Sequence, residues 1–234
     1  MTTSPAPSRL TARHWRTRRS AAVAGILFAV LLITAMVMMR LALEDDSLQS
    51  LQTDAASRRL VRWSLHLVPF AGIAFLWFIG VVRDQLGDVE DRLFSTVFLG
   101  SGLLFLAMLF AGAAASTSVL ALATRPSPDV EVWAFGRDST VTLVSVYAMR
   151  MAAVFTLSVS TVGLRTRAVP PWVAYLGYAV ALVLLVAAGE HRWSQIIFPA
   201  WVLLLSLVIL LTRPSATPSD GEPADAARAD GGPA

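Results

Sequence analysis

Six apolar runs alternate with short polar connections along this chain, at 20–43, 63–82, 93–123, 139–163, 172–189 and 194–212. A helix needs ~20 apolar residues to cross ~30 Å of hydrocarbon, so each run predicts a membrane-spanning helix. The run 93–123 exceeds that length and must tilt or project beyond the bilayer. The expected fold is all-α, a polytopic membrane bundle of six transmembrane helices over residues 20–212. Residues 1–19, rich in Arg and Pro, and residues 213–234, rich in Pro, Ala, Asp and Gly, are expected to be disordered cytoplasmic tails. The Arg-rich start resembles an export signal, but the first run is long and has no clean cleavage site, so it is expected to be an uncleaved anchor.

Interfacial residues refine the ends of the runs. Trp63, Trp172 and Trp193 stand where a run meets polar sequence, the level amphipathic indoles prefer. Pro170 and Pro171 separate two elements and pre-set the first turn of the next. Pro69 and Pro199 lie inside runs, where each removes a helical hydrogen bond and predicts a kink. Leu48, Leu51 and Ala55 recur at helical spacing and suggest a short interfacial helix. Residues 124–138, with Trp133 and Phe135, read as a segment dipping into the headgroups. More Arg residues fall in the connections shared with the N-terminus than in the others, which favours both termini inside. Arg58, Arg59 and Arg62 run against that bias.

Composition agrees with the pattern and excludes several function classes. Only 15% of the 234 residues are charged and 56% are hydrophobic, against about 25% charged in a soluble domain. Every basic side chain is Arg, and Lys, Asn and Cys are absent, a bias expected of a high-GC bacterial genome. Without Cys there is no disulfide, thiolate metal site or thiol nucleophile. The net charge of +3 comes from Arg beside the runs and reads as topology and contact with anionic lipid, not nucleic-acid binding.

Arg150 is the candidate of greatest interest. It lies near the middle of the fourth run, where an Arg costs at least ~2.5–3.5 kcal/mol, and no acid lies within any run to pair with it. Its expected partners are Tyr147 one turn earlier, Glu190 beyond the fifth run, and carbonyls freed at the two prolines. It would serve as an interhelical clamp or as the centre of an anion or proton site. His66 lies one turn inside the second run and is a candidate proton sensor with His191. Haem ligation by that pair is not expected, because His191 sits in a turn. The acids of Arg83–Arg92 lack the ordered spacing of a calcium loop and read as a solvated, self-paired connection. No cofactor or metal is expected.

Gly80-x-x-x-Asp84-x-x-Gly87 resembles the loop signature of major facilitator transporters, with Gln85, Asp88 and Val89 where that family carries basic residues. Gly100-Ser101-Gly102 is not the motif of an intramembrane serine protease, and no His lies in a later run to act as base. With Ala107, Ala111, Gly112 and Ala115 those glycines read as small positions for close helix contact. The segments Pro69–Gly80 and Val97–Gly102 resemble stretches of uncharacterised multi-span proteins of high-GC, actinobacterial-type bacteria, which implies a plasma-membrane bundle and no particular activity. The chain is thus expected to be a non-enzymatic scaffold or accessory subunit of the inner membrane. It would act through homo-oligomer or partner contacts of the third run. The alternatives are a small transporter or channel with a polar site around Arg150, Tyr147, His66 and Glu190, and a stress or pH sensor.

Overall fold

The computed structural model describes residues 9–42, 48–86, 92–166, 169–187, 189 and 194–211, and no strand occurs among them. The helices are α1 (Arg9–Ala42), α2 (Leu48–Thr53), α3 (Ala55–Leu86), α4 (Arg92–Ala123), α5 (Val130–Thr142), α6 (Met149–Arg165), α7 (Pro171–Val186) and α8 (Ser194–Leu211), with a π turn at Leu143–Ala148 between α5 and α6. Five stretches are long and apolar enough to span a membrane: Ser20–Ala42, Ala55–Arg83, Ser95–Ala123, Val130–Arg165 and Ser194–Leu211. The protein is therefore a helical protein built for a membrane.

The expected six spans become five and a shorter sixth. Helix α7 is apolar but has 16 residues, about 24 Å at 1.5 Å per residue. It stops at Ala187, and Gly189 then takes φ 93°, a left-handed conformation in which a side chain would be strained. That turn ends the element short of the predicted boundary at 189.

Two connections are more helical than expected. The segment expected to dip into the headgroups instead joins the fourth span, so that Val130–Arg165 runs as one helical rod. Asp129 caps its start by accepting from the Glu131 and Val132 amides at 3.0 and 3.1 Å. The interfacial helix expected near Leu48 is present as α2, and α3 follows after the single residue Asp54. Asp54 caps α3, accepting from the Ala56 and Ser57 amides and the Ser57 hydroxyl. The Ser57 hydroxyl, then those amides, hold its carboxyl below the ordinary range. Arg58 donates to the carbonyls of Leu51 and Gln52, both at 2.9 Å, which satisfies the end of α2. An Arg that opposes the charge bias thus has a structural task. Helix α1 already begins at Arg9, ahead of the first apolar run.

Neighbouring helices close into a ring in the order α1, α3, α4, α6, α7, α8 and back to α1. Its centre is a cluster of phenylalanines. Phe28 comes from α1, Phe75 and Phe78 from α3, Phe98 and Phe105 from α4, Phe155 from α6 and Phe198 from α8, and all are buried. Phe75 lies at the middle, 4.5 Å from Phe28, 5.1 Å from Phe155 and 5.2 Å from Phe105 between ring centroids. Most of the pairs are tilted or edge-on, the arrangement that ring quadrupoles favour, at ~0.5–1.5 kcal/mol a pair.

Small residues let the rings meet. A Cβ on Gly102 of α4 would stand 2.7 Å from Ile79 and 3.2 Å from Phe155. One on Gly177 of α7 would collide with Ser160 of α6. Both prolines lie within helices that continue past them. Replacing Phe75 by Ala removes the central ring and leaves a void, and should lower unfolding stability in detergent by about 3 kcal/mol or more. A loss below about 1 kcal/mol in a denaturation series would show that the cluster does not hold the bundle together.

Candidate functional site

On one side of the phenylalanine cluster the helices enclose a cavity of about 580 Å³. It lies toward the end of the bundle carrying the α1–α2, α4–α5 and α7–α8 connections. Its floor is apolar, with Leu32 and Met36 of α1, Val68 of α3 and Leu109 of α4. From Leu32 to Arg40 the α1 wall rises about 12 Å. Farther from the phenylalanines the lining mixes polar groups, Arg40 of α1, Arg137 and Asp138 of α5, Ser145 of the π turn and Gln195 of α8, with apolar ones such as Leu51, Val61 and Leu120.

Local structure places these groups. Gln195 Nε2 donates to Ser145 Oγ, tying α8 to the π turn across the cavity wall. A π turn closes i→i+5 instead of i→i+4, and such turns concentrate at functional sites. Arg137 and Asp138 are neighbours in sequence and form a long ion pair, Nε to Oδ1 3.9 Å. The Arg137 guanidinium also lies 5.7 Å from the centre of the Trp133 ring. On α4 the wall is thin because Gly112, Ala113 and Ser116 face inward. Ser116 satisfies its hydroxyl on the Gly112 carbonyl at 2.9 Å.

The expected site residues are placed otherwise. Arg150 is exposed on the outward side of α6 and makes no hydrogen bond or ion pair with any described residue. Tyr147, 54% exposed, also faces outward. His66 is exposed on α3, and its Nδ1 meets the Arg62 carbonyl at 2.6 Å. Glu190, His191 and Trp193 lie outside the described residues, as do Gly87–Asp91 of the connection between α3 and α4. Arg150, Tyr147 and His66 do not line the cavity. A polar site around these residues was expected in this half of the bundle; the cavity found there is lined by others.

The reason is helical phase. The inward face of α6 carries Ala152, Ala153, Thr156, Ser160 and Gly163, all buried. Arg150 and Leu157, seven residues apart, occupy the opposite face. That stripe of small and hydroxyl residues was visible in the sequence and would have turned Arg150 outward. Arg40 lies near the end of the first predicted run and Arg137 just before the fourth, and both stand inside helices.

Beyond the phenylalanines a second cavity, about 50 Å³, lies between α6, α7 and α8. The buried Ser160 hydroxyl and Trp201 indole N–H at its wall have no hydrogen-bond partner among the described residues. The volume is enough for a water molecule. No group of three or more metal-ligating side chains occurs among the described residues. In comparisons with known proteins, no family model, curated protein or solved structure matches this chain.

Because Arg150 touches no described polar partner, Arg150→Leu should leave the unfolding stability of the detergent-solubilised monomer within about 0.5 kcal/mol of wild type. A loss above about 2 kcal/mol would mean that the guanidinium clamps helices within the chain.

Proposed function

We propose that this is a small, non-enzymatic, multi-pass transporter of a bacterial plasma membrane. The supporting observation is the cavity of about 580 Å³, which the buried phenylalanine cluster closes below. Pockets of ~300–1,000 Å³ with an apolar lining and a few converging polar groups are the common form of a small-molecule site. The cluster supplies the barrier that a transporter must keep on one side of its site. The small cavity beyond it, where Ser160 and Trp201 have no hydrogen-bond partner among the described residues, is where such a path would continue. This reading takes the transporter alternative in place of the expected scaffold, and sets its site in the space bounded by Arg40, Arg137 and Gln195 rather than at Arg150.

The chain has no Cys, so single Cys substitutions report accessibility without background. Ser116→Cys, in the cavity wall, should react with a membrane-impermeant thiol reagent from one face of sealed vesicles. Its rate should be at least ten times that of Thr156→Cys, which is fully buried on α6. Adding Ala113→Phe should slow the Ser116→Cys reaction to the Thr156→Cys rate. Equal rates for the two single substitutions in the otherwise native chain would mean that no open cavity exists.

A second reading, self-association through the third span, is favoured by the outward face of α4. Ala107, Ala111, Ala114, Ser118 and Ala121 are all exposed there, at alternating spacings of four and three. Small residues repeated in this way let two helices approach closely. Ala114→Trp should then convert a cross-linkable dimer to monomer in native membranes. An unchanged cross-linking yield would remove this reading.

A further inference from the structure

Arg150 stands deep in a span with no hydrogen bond or ion pair to any described residue. Between Asp138 and Arg165 it is the only charged residue. It lies about 18 Å from Asp138 and about 22 Å from Arg165 along the helix axis. The hydrocarbon core is ~30 Å thick, so the Cα of Arg150 lies close to its middle. Ionised groups at that depth face a bundle interior or a water-filled space, or pair with another group. Arg150 instead points away from the bundle, exposed on the outward side of α6, and lines neither cavity. We propose that this face of α6 is the docking surface for a transmembrane helix of a different protein, one that carries an Asp or Glu at mid-membrane depth.

That the partner is a different protein follows from where this chain keeps its acids. Apart from Glu131 and Asp138, no acid lies in the five long apolar stretches, and none lies in α7. Asp138 of a second copy in the same orientation is displaced about 18 Å from Arg150 along the rod. An inverted copy puts it about as far away on the other side. A second copy therefore supplies no carboxylate at this depth. Lipid headgroups lie at the surface, roughly 15 Å away. A carboxylate on a neighbouring helix fits the guanidinium because its two oxygens accept a bidentate pair. The two charges also cancel, so the joined helices present no net charge to hydrocarbon. The residues around Arg150 suit a helix as occupant. Tyr147, Arg150, Val154 and Leu157 recur at spacings of three, four and three, the seam that one helix offers another. Tyr147 and Leu157 are about half exposed, which leaves apolar surface on both sides of the charge for the partner to cover.

Two experiments on the full chain test this. The first reconstitutes it in phosphatidylcholine vesicles with a labelled synthetic helix of Leu and Ala that spans the bilayer and has one Glu at its centre. Association is read by energy transfer. The Glu helix should bind at least tenfold more tightly than the same helix with Gln in that place. Arg150→Leu should reduce the preference to less than twofold, and Arg150→Lys, which keeps the charge, should retain it. Equal affinity for the Glu and Gln helices, or a preference unchanged in Arg150→Leu, would overturn the carboxylate. The second experiment places a benzophenone side chain at position 157 in native membranes and sequences the cross-linked peptide. That peptide should come from another protein, contain Asp or Glu within an apolar stretch, and be lost with Arg150→Leu but not with Arg150→Lys. Cross-links to lipid alone, to a second copy of this chain, or to a segment without an acid would overturn the partner.

Discussion

Packing of the central phenylalanines is the interaction on which the rest of this bundle depends. In lipid there is no hydrophobic force to draw helices together, because acyl chains are as apolar as the side chains they replace. What remains is dispersion between close surfaces and the directional attraction of rings. Phe28, Phe75, Phe105, Phe155 and Phe198 bring α1, α3, α4, α6 and α8 to one point. Gly102 gives Phe155 the space to reach it. In each of the five long apolar stretches less than half of the apolar window is buried, so the inward faces must supply nearly all of this packing.

The cavity is a consequence of where that packing stops. The axis-facing side chains change from phenylalanine at the centre to Ala35, Gly112, Ala113 and Ser116 nearer the end. Smaller side chains on helices held at one point leave a space between them. The π turn and the Ser145–Gln195 bond then form one wall of it, and α1 with Arg40 another. Ring cluster and cavity are thus two parts of one arrangement. Changes to the rings and changes to the small residues should have separable effects, the first on stability and the second on what the cavity admits.

Much of the architecture was legible in the chain. Five of the six predicted runs match long apolar helices within a few residues at most boundaries, and the sixth, α7, falls short of its predicted end. The α2 helix was visible in the spacing of Leu48 and Leu51. The candidate site was legible only as a region. Arg150 drew attention because an ionised group in an apolar run is costly, but cost does not reveal direction. The structure turns it outward, with Tyr147, away from the cavity. Arg40 and Arg137 carry the charge there, though as residues near the ends of runs they looked like ordinary topological markers.

The sequence by itself determined the class of this protein, a helical membrane protein, because each run's length and apolarity are local properties that hydrocarbon reads directly. It also determined the chemical inventory: Arg as the only cation of fixed charge, no thiol, and no acid within a run. Only the tertiary structure decided which faces meet, that the phenylalanines converge, and that Arg40, Arg137, Ser145 and Gln195 border one space. In water the hydrophobic effect marks the inward face of a helix by its apolarity. In a membrane both faces are apolar, so small residues and ring packing choose the inward one, and that choice depends on all the neighbouring helices together.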